Sequence, residues 1–284
     1  MEADEVSVVI CAKNAEATLE GCLRSVTANN PFEIVVVDGN SADRTVEIAR
    51  RYADKIYSDG GRGLGYARQL GVEKANGKYV FHLDADVVLT RDCLAEILKE
   101  LKQKNEHGKY AAVNAQLKAV STRTYWERAR ERRLRRFNAV GDCSYLSPNA
   151  SISERRLIID HRFDTAARFG WEVQDLSKRL RKAGYRFAVS SSAFCYHHHE
   201  ATFKALARKH YVWGVATAEL FAKHKRGVER LYLLYSFFGF PGGVLRAIVR
   251  GELMTIPYLL VAGLCIDAGI VAALLQFALK RLRR

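Results

Sequence analysis

Residues 79–88 read YVFHLDADVV, an apolar run from Tyr79 to Leu83 that ends in Asp84, with Asp86 two residues on. A short run apolar at nearly every position is a strand covered on both faces, as in a parallel sheet. Two carboxylates at its end, rather than on a helix, can hold a hard divalent cation. Upstream the same pattern repeats: Val6–Ile10 and Glu33–Val37 are apolar runs, the second ending in Asp38, and Lys55–Tyr57 is a shorter one. Between them lie helical signals over 17–28, from about 43 to 52 and over 66–75, and a glycine-rich loop, Asp59–Gly65. Repeated strand–helix units predict a parallel, doubly wound sheet, with ligands at the carboxyl ends of its strands. Asn14, Asp38 and Asp84 all lie just past strand ends, so they are expected to converge on one crevice. Further on, helices are predicted at 91–105, 122–137 and 171–183, and a strand near Tyr185–Val189.

The 284 residues hold 45 Lys+Arg against 31 Asp+Glu, a formal net charge of +14. Position decides what that charge means. Residues 122–136 (TRTYWERARERRLRR) carry a net +5, residues 201–230 another +5, and the terminal KRLRR +4, so residues 1–121 hold no basic excess. A protein tracking a nucleic-acid backbone would spread positive charge over its main domain; no nucleic-acid partner is expected. The later basic stretches bracket an apolar region. Residues 253–279 contain one charge, Asp267, and would make a helix roughly 40 Å long at about 1.5 Å per residue. Residues 231–245 are shorter and are interrupted by Pro241-Gly242-Gly243. The region reads as a membrane-associated helical hairpin over 223–284 with basic flanks, or else as a buried hairpin. Under the positive-inside rule, flanks at His224–Arg226 and Lys280–Arg284 would face the cytoplasm. The Arg-rich helix reads either as a solvated face or as an interfacial helix, apolar side down on anionic lipid. The start MEADEVSVVI carries no secretory pattern, and six scattered cysteines suit reduced thiols.

The stretches VSVVICAKNAEATLEGCLRSV, EIVVVDGNSADRTVEIA and GLGYARQLGVEKANGKYVFHLDADVV, followed by NASIS…RFD…WEVQDLSKRLRKAGYRF, resemble glycosyltransferase family 2 in order and spacing. The resemblance implies a nucleotide-binding domain of GT-A fold over residues 1–222, and inverting transfer of a sugar from a UDP or GDP donor. It places Ala12, Asn14 and Glu16 in the nucleotide cradle, Asp38 on the base, and Arg68 near the diphosphate. Asp84 and Asp86 match the metal motif for Mg²⁺ or Mn²⁺. His197 or His199, which would share a strand face, is expected to complete that shell. Asn14 and Asp43 could instead cap helices, and Arg68 could be a solvated helix charge.

One departure bears on the acceptor. Family members acting on hydroxyls carry Glu-Asp before an Asp-Leu…Arg-Leu helix, the aspartate being the general base. Here the stretch reads Trp171-Glu172-Val173-Gln174-Asp175-Leu176, so Val173 stands at the base position. Either Glu172 or Asp175 substitutes, or no base is needed because the acceptor, a polyprenyl phosphate, is already an anion. The leading expectation is therefore a membrane-attached transferase acting on a lipid-linked acceptor at the cytoplasmic face. The alternatives are a soluble or polysaccharide hydroxyl acceptor, and a sugar-1-phosphate nucleotidyltransferase; the loop CAKNAEATLEG lacks the basic glycine-rich character of the latter.

Overall fold

Four parallel strands carry the crevice. In a computed structural model describing residues 5–135, 138–166, 171–223 and 241–282, β1 (Val6–Ala12), β2 (Glu33–Asp38), β3 (Lys55–Ser58) and β4 (Tyr79–Asp84) lie in the order β3-β2-β1-β4. Nearly every residue of β1, β2 and β4 is buried, because the linking helices cover the sheet. In α1 (Leu19–Thr27) the residues Leu19, Cys22, Leu23 and Val26 are buried, as their helical spacing requires. After the short α2 (Thr45–Ala49) comes α3 (Leu64–Lys74). It lies so close to β1 that a Cβ on Gly71 would come within 2.3 Å of Val9 Cγ1. Register aligns the strand ends: Ala12 sits opposite Asp38, and Cys11 opposite Asp84.

Beyond β4 the sheet stops being parallel. The next elements are β5 (Val87–Leu89), α4 (Cys93–His107) and β6 (Tyr110–Ala119), then α5 (Tyr125–Leu134), β7 (Gly141–Cys143) and β8 (Ala150–Glu154). They are followed by α6 (Arg155–His161), α7 (Glu172–Lys182) and β9 (Arg186–His197). Strand β8 runs antiparallel to both β4 and β6, β6 runs parallel to β9, and β5 and β7 run antiparallel to β9. The parallel reading thus holds for the first four strands, and the nine-stranded sheet of the described residues is mixed. Strand β6 escapes a sequence reading because most of its buried side chains are small, Ala111, Ala112, Val113 and Ala115, and the polar Asn114 is buried among them. β9 is longer than expected. Its Ser190 hydroxyl donates to Glu100 Oε2 at 2.6 Å and accepts the Ala193 N–H, carrying the strand past three serines.

Contacts divide the chain into two compact units, Met1–Val120 with Arg135–His198, and Ser121–Leu134 with His199–Arg284. This division falls elsewhere than the 222/223 boundary drawn from charge and hydropathy. In the second unit α5 begins at Tyr125, not 122, because Thr124 and Glu127 form a capping box: the Thr124 N–H donates to Glu127 Oε2 at 2.8 Å, and the Glu127 N–H to Thr124 Oγ1 at 3.3 Å. Its apolar side is already covered. Ala129 clusters with Leu206, Tyr258 and Ala262, and the Tyr125 hydroxyl donates to the Met254 carbonyl at 2.6 Å. That apolar side is therefore not free to lie on lipid, while Arg128 and Arg132 stay exposed. Phe137, the last residue of the helix predicted over 122–137, falls outside the described residues.

Helix α8 (Phe203–Lys223) is followed, after residues outside the description, by α9 (residues 241–249), a 3₁₀ turn at Leu253–Thr255 and α10 (Ile256–Leu282). Leu206 clusters with Tyr258, and Ala218 with Ile270 and Ala273, so α8 and α10 run in the same direction. Between them a Cβ on Gly214 would meet the Ile266 carbonyl oxygen at 2.0 Å, and one on Gly269 the Tyr211 carbonyl oxygen at 2.2 Å. Leu253–Leu279 is long and apolar enough to cross a membrane. Leu260, Leu264, Val271, Leu275 and Leu279 leave an exposed apolar stripe along it. The expected first limb of the hairpin, residues 231–240, and its flank His224–Arg226 lie outside the described residues.

Candidate active site

The loops after β1 and β2 are stapled together at the strand ends. The Ala12 carbonyl accepts the Gly39 N–H at 2.8 Å. Asn14, held at a φ of 49°, donates its N–H to Ser41 Oγ and accepts the Ala42 N–H on Oδ1, both at 2.9 Å. The Glu16 N–H donates to Asp43 Oδ2 at 3.1 Å, and Glu16 Oε2 accepts the Arg44 N–H at 3.2 Å. Asn14 and Glu16 thus shape the rim, and Asp43 also accepts the Thr45 N–H at the start of α2. Asp38 is buried in that rim, where Oδ2 accepts the Ser41 N–H at 3.1 Å. Its carbonyl accepts the Asp59 N–H at 2.9 Å. Asp59 in turn accepts from the N–H groups of Gly61 (2.6 Å) and Gly63 (3.1 Å). Both glycines have positive φ, 74° and 104°, which is why this loop needs them.

Below the rim lies a buried ion network. Arg68, on α3, donates from Nη2 to Asp84 Oδ1 at 3.0 Å and from Nη1 to Glu172 Oε1. The second Asp84 oxygen accepts from Asn149 Nδ2 at 2.7 Å, and the Asp84 N–H donates to the Asn149 carbonyl at 3.0 Å. Burial raises the Asp84 carboxyl above the ordinary carboxylate range, against the pull of Arg68. Burial likewise pushes the neighbouring Cys11 thiol up to about 12, so it is no nucleophile. His82, beneath the strand end, is lowered to about 3 by burial and by Arg68, and is neutral.

Asp86 faces outward. Its side chain is 37% exposed, and Oδ1 lies 3.4 Å from Nε2 of His197, which is itself 2% exposed. The Asp86 carbonyl accepts the His198 N–H at 2.9 Å. His199 goes elsewhere: β9 ends at His197, and His199 Nε2 lies 3.5 Å from Glu131 Oε2 within the second unit. The strand alternation that would pair His199 with His197 does not extend that far.

Around the expected base position, Val173 packs in the core with Leu176 and Leu180. Glu172 is 0% exposed and faces Arg68. Asp175 lies on the exposed side of α7, where its Oδ2 accepts from Arg179 Nε at 2.8 Å.

Residues 7–160 match glycosyl transferase family 2 along the stretch that builds this crevice. The chain belongs to that family. It is 32% identical over 108 residues to the cholesterol galactosyltransferase of Borreliella burgdorferi, covering 36% of this chain and 30% of that protein. It is 27% identical over 239 residues to the succinoglycan biosynthesis protein ExoO of Rhizobium meliloti, covering 76% of this chain and 67% of that one. The match to the first relative thus spans under a third of its length. Among solved structures, the mannosyltransferase PcManGT from Pyrobaculum calidifontis, in complex with GDP-Man and Mn²⁺, superposes with a TM-score of 0.61 at 18% identity, over 92% of this chain and 86% of that one. That likeness establishes the GT-A fold.

The family's divalent cation can be tested against these side chains. Asp86 and His197 offer a carboxylate oxygen and an imidazole nitrogen, a donor set that suits Mn²⁺ or Mg²⁺ when phosphate oxygens and water supply the rest. Asp84 is less free, since Arg68 and Asn149 take both its oxygens. Among the described residues no cluster of three or more His, Cys, Asp or Glu stands ready to hold a metal; Asp86 and His197 are the pair that would hold one. Sequence reasoning missed Asn149, Asp59 and Asn114, the last buried and binding the Tyr145 carbonyl (2.9 Å) and the Ser147 N–H (2.7 Å) of the loop before β8. Asp59, between Ser58 and Gly60, carried the signal of an aspartate beside a glycine, which is a common one; Asn149, between Pro148 and Ala150, and Asn114, between Val113 and Ala115, have no such neighbour.

Proposed function

We propose that this chain is an inverting, metal-dependent glycosyltransferase that moves a sugar from a UDP- or GDP-type donor to the phosphate of a lipid-linked acceptor. One observation carries the acceptor class: the described residues around the base position offer no carboxylate ready to take a proton. Val173 is core, Glu172 is neutralised by Arg68, and Asp175 is paired with Arg179. A hydroxyl nucleophile needs a base within hydrogen-bond reach; a phosphate monoester is already an anion.

In this reading the rim of Ala12, Asn14 and Glu16 cradles the nucleotide and Asp38 meets its base. Asp86 and His197 would hold the cation, which when bound opposes the charge of the departing diphosphate. The acceptor oxygen bonds to the sugar C1 as the C1–O bond to the diphosphate breaks, and the nucleoside diphosphate leaves from the opposite side. The likeness to a structure holding GDP-Man and Mn²⁺ supports donor and cation alike. Catalysis belongs to residues 1–222 and attachment to 223–284. Leu253–Leu279 supports membrane attachment, with Arg128 and Arg132 meeting anionic headgroups and the basic flanks at the cytoplasmic face.

A second reading, transfer to a polysaccharide hydroxyl, is favoured by the long match to a succinoglycan biosynthesis protein; it requires Asp175 to leave Arg179 and act as base. A nucleotide-sugar screen of the full chain in detergent with Mn²⁺, reading released UDP or GDP, tests the proposal. Release from one donor class, dependent on added polyprenyl phosphate, is expected. No release from any donor would overturn it.

A further inference from the structure

Glu172 is a fully buried carboxylate that the proposed transfer does not use as an acid or a base. It opens α7, yet its partner Arg68 lies on α3, 104 residues away in sequence. Its Oε2 has no hydrogen-bond partner in the described structure, so Arg68 alone answers its charge. A buried charge kept on so few contacts is costly. Its place in the network gives it a purpose.

We propose that Glu172 is a positioning residue for the cation-holding end of β4; this rests on the reading of Asp86 and His197 as the pair that holds the cation. Glu172 fixes the guanidinium of Arg68, and Arg68 fixes Asp84 from one side at 3.0 Å. Asn149 fixes it from the other, through the side chain at 2.7 Å and the backbone at 3.0 Å. With Asp84 immobilised, Asp86 two residues on is presented beside His197 rather than free to turn. Charge is the second effect. Arg68, Glu172, Asp84 and Asp86 together carry a net −2, which matches one divalent cation. Without Glu172 the guanidinium acts on Asp84 and Asp86 alone, and the net falls to −1. In a partly desolvated crevice that unit is felt strongly. Supporting residues of this kind typically change metal affinity or activity about 10- to 100-fold when altered.

The test is calorimetric binding of UDP, and separately GDP, to the full-length protein, with Mn²⁺ and with chelator. Glu172→Gln is expected to retain the chelator-state affinity and to lose about tenfold of the affinity that Mn²⁺ adds. Glu172→Asp is expected to recover part of that loss. Where Glu172→Gln fails to fold, the double variant Arg68→Met/Glu172→Met removes both charges together, which buried ion pairs commonly tolerate. It is expected to fold and still to lose the Mn²⁺-dependent affinity, because Asp84 has lost a donor. A folded variant with wild-type Mn²⁺ dependence would overturn the proposal, as would equal losses with and without Mn²⁺. If wild-type protein transfers no sugar while Glu172→Gln still weakens Mn²⁺-dependent nucleotide binding, the transfer reading fails and the positioning role stands.

Discussion

Val173 is where sequence and packing answer one question together. The substitution of a base position by valine is visible in the sequence, but only the structure shows that its side chain lies in the core with Leu176 and Leu180. Val173→Asp is therefore expected to lose stability, by about 3–5 kcal/mol for an unpaired buried carboxylate, and to gain no hydroxyl transfer. Denaturant unfolding and a hydroxyl-acceptor assay check this; a stable variant with new activity would contradict it. His82 gives a pH signature. Its folded pKa, about 3, lies below its ordinary 6.5, so the unfolded chain takes up the proton first. Stability then falls as pH drops from about 6.5 toward about 3. At pH near 4.5 the loss from this residue is about 3 kcal/mol, and His82→Leu is expected to flatten that part of the profile in denaturant titrations. The carboxylates at strand ends, Asp38 and Asp84, were legible because unbroken apolar runs stop at them. The Arg68–Glu172 pair was not, since no local pattern joins residues 104 positions apart.

At the scale of elements, what was legible followed periodicity and what was missed followed side-chain chemistry. The parallel strands and α1 show their burial in the spacing of their apolar residues. The start of α5 was set by the Thr124–Glu127 box, and β6 was hidden by its alanines. The α8–α10 contact was also unread, because glycines mark it only by what they allow to approach. Close helix packing through small residues leaves no room for a side chain. Gly269→Leu, whose Cβ would lie 2.2 Å from the Tyr211 carbonyl oxygen, is expected to force the pair apart at a cost of about 1–3 kcal/mol or more. Trp213 sits next to Gly214 on α8, so its fluorescence is expected to shift. Nucleotide binding, which belongs to the other unit, is expected to stay at wild-type level; unchanged fluorescence would contradict the contact.

For the whole molecule, the surplus of +14 first admits nucleic acid, membrane and phosphate partners alike. Its separation from residues 1–121, together with the family match over 7–160, sets it apart from the crevice, where Arg68 is paired with Asp84 and Glu172. The basic surplus goes to α5 and the ends of an apolar region. The central claim, that the acceptor brings its own negative charge, is tested most directly by acceptor competition. Donor turnover is to be measured in detergent with Mn²⁺, comparing a polyprenyl phosphate with the polyprenol of the same chain length. Transfer to the phosphate with at least about 100-fold preference is expected, the span of a missing general base. Equal transfer to the free alcohol would contradict it.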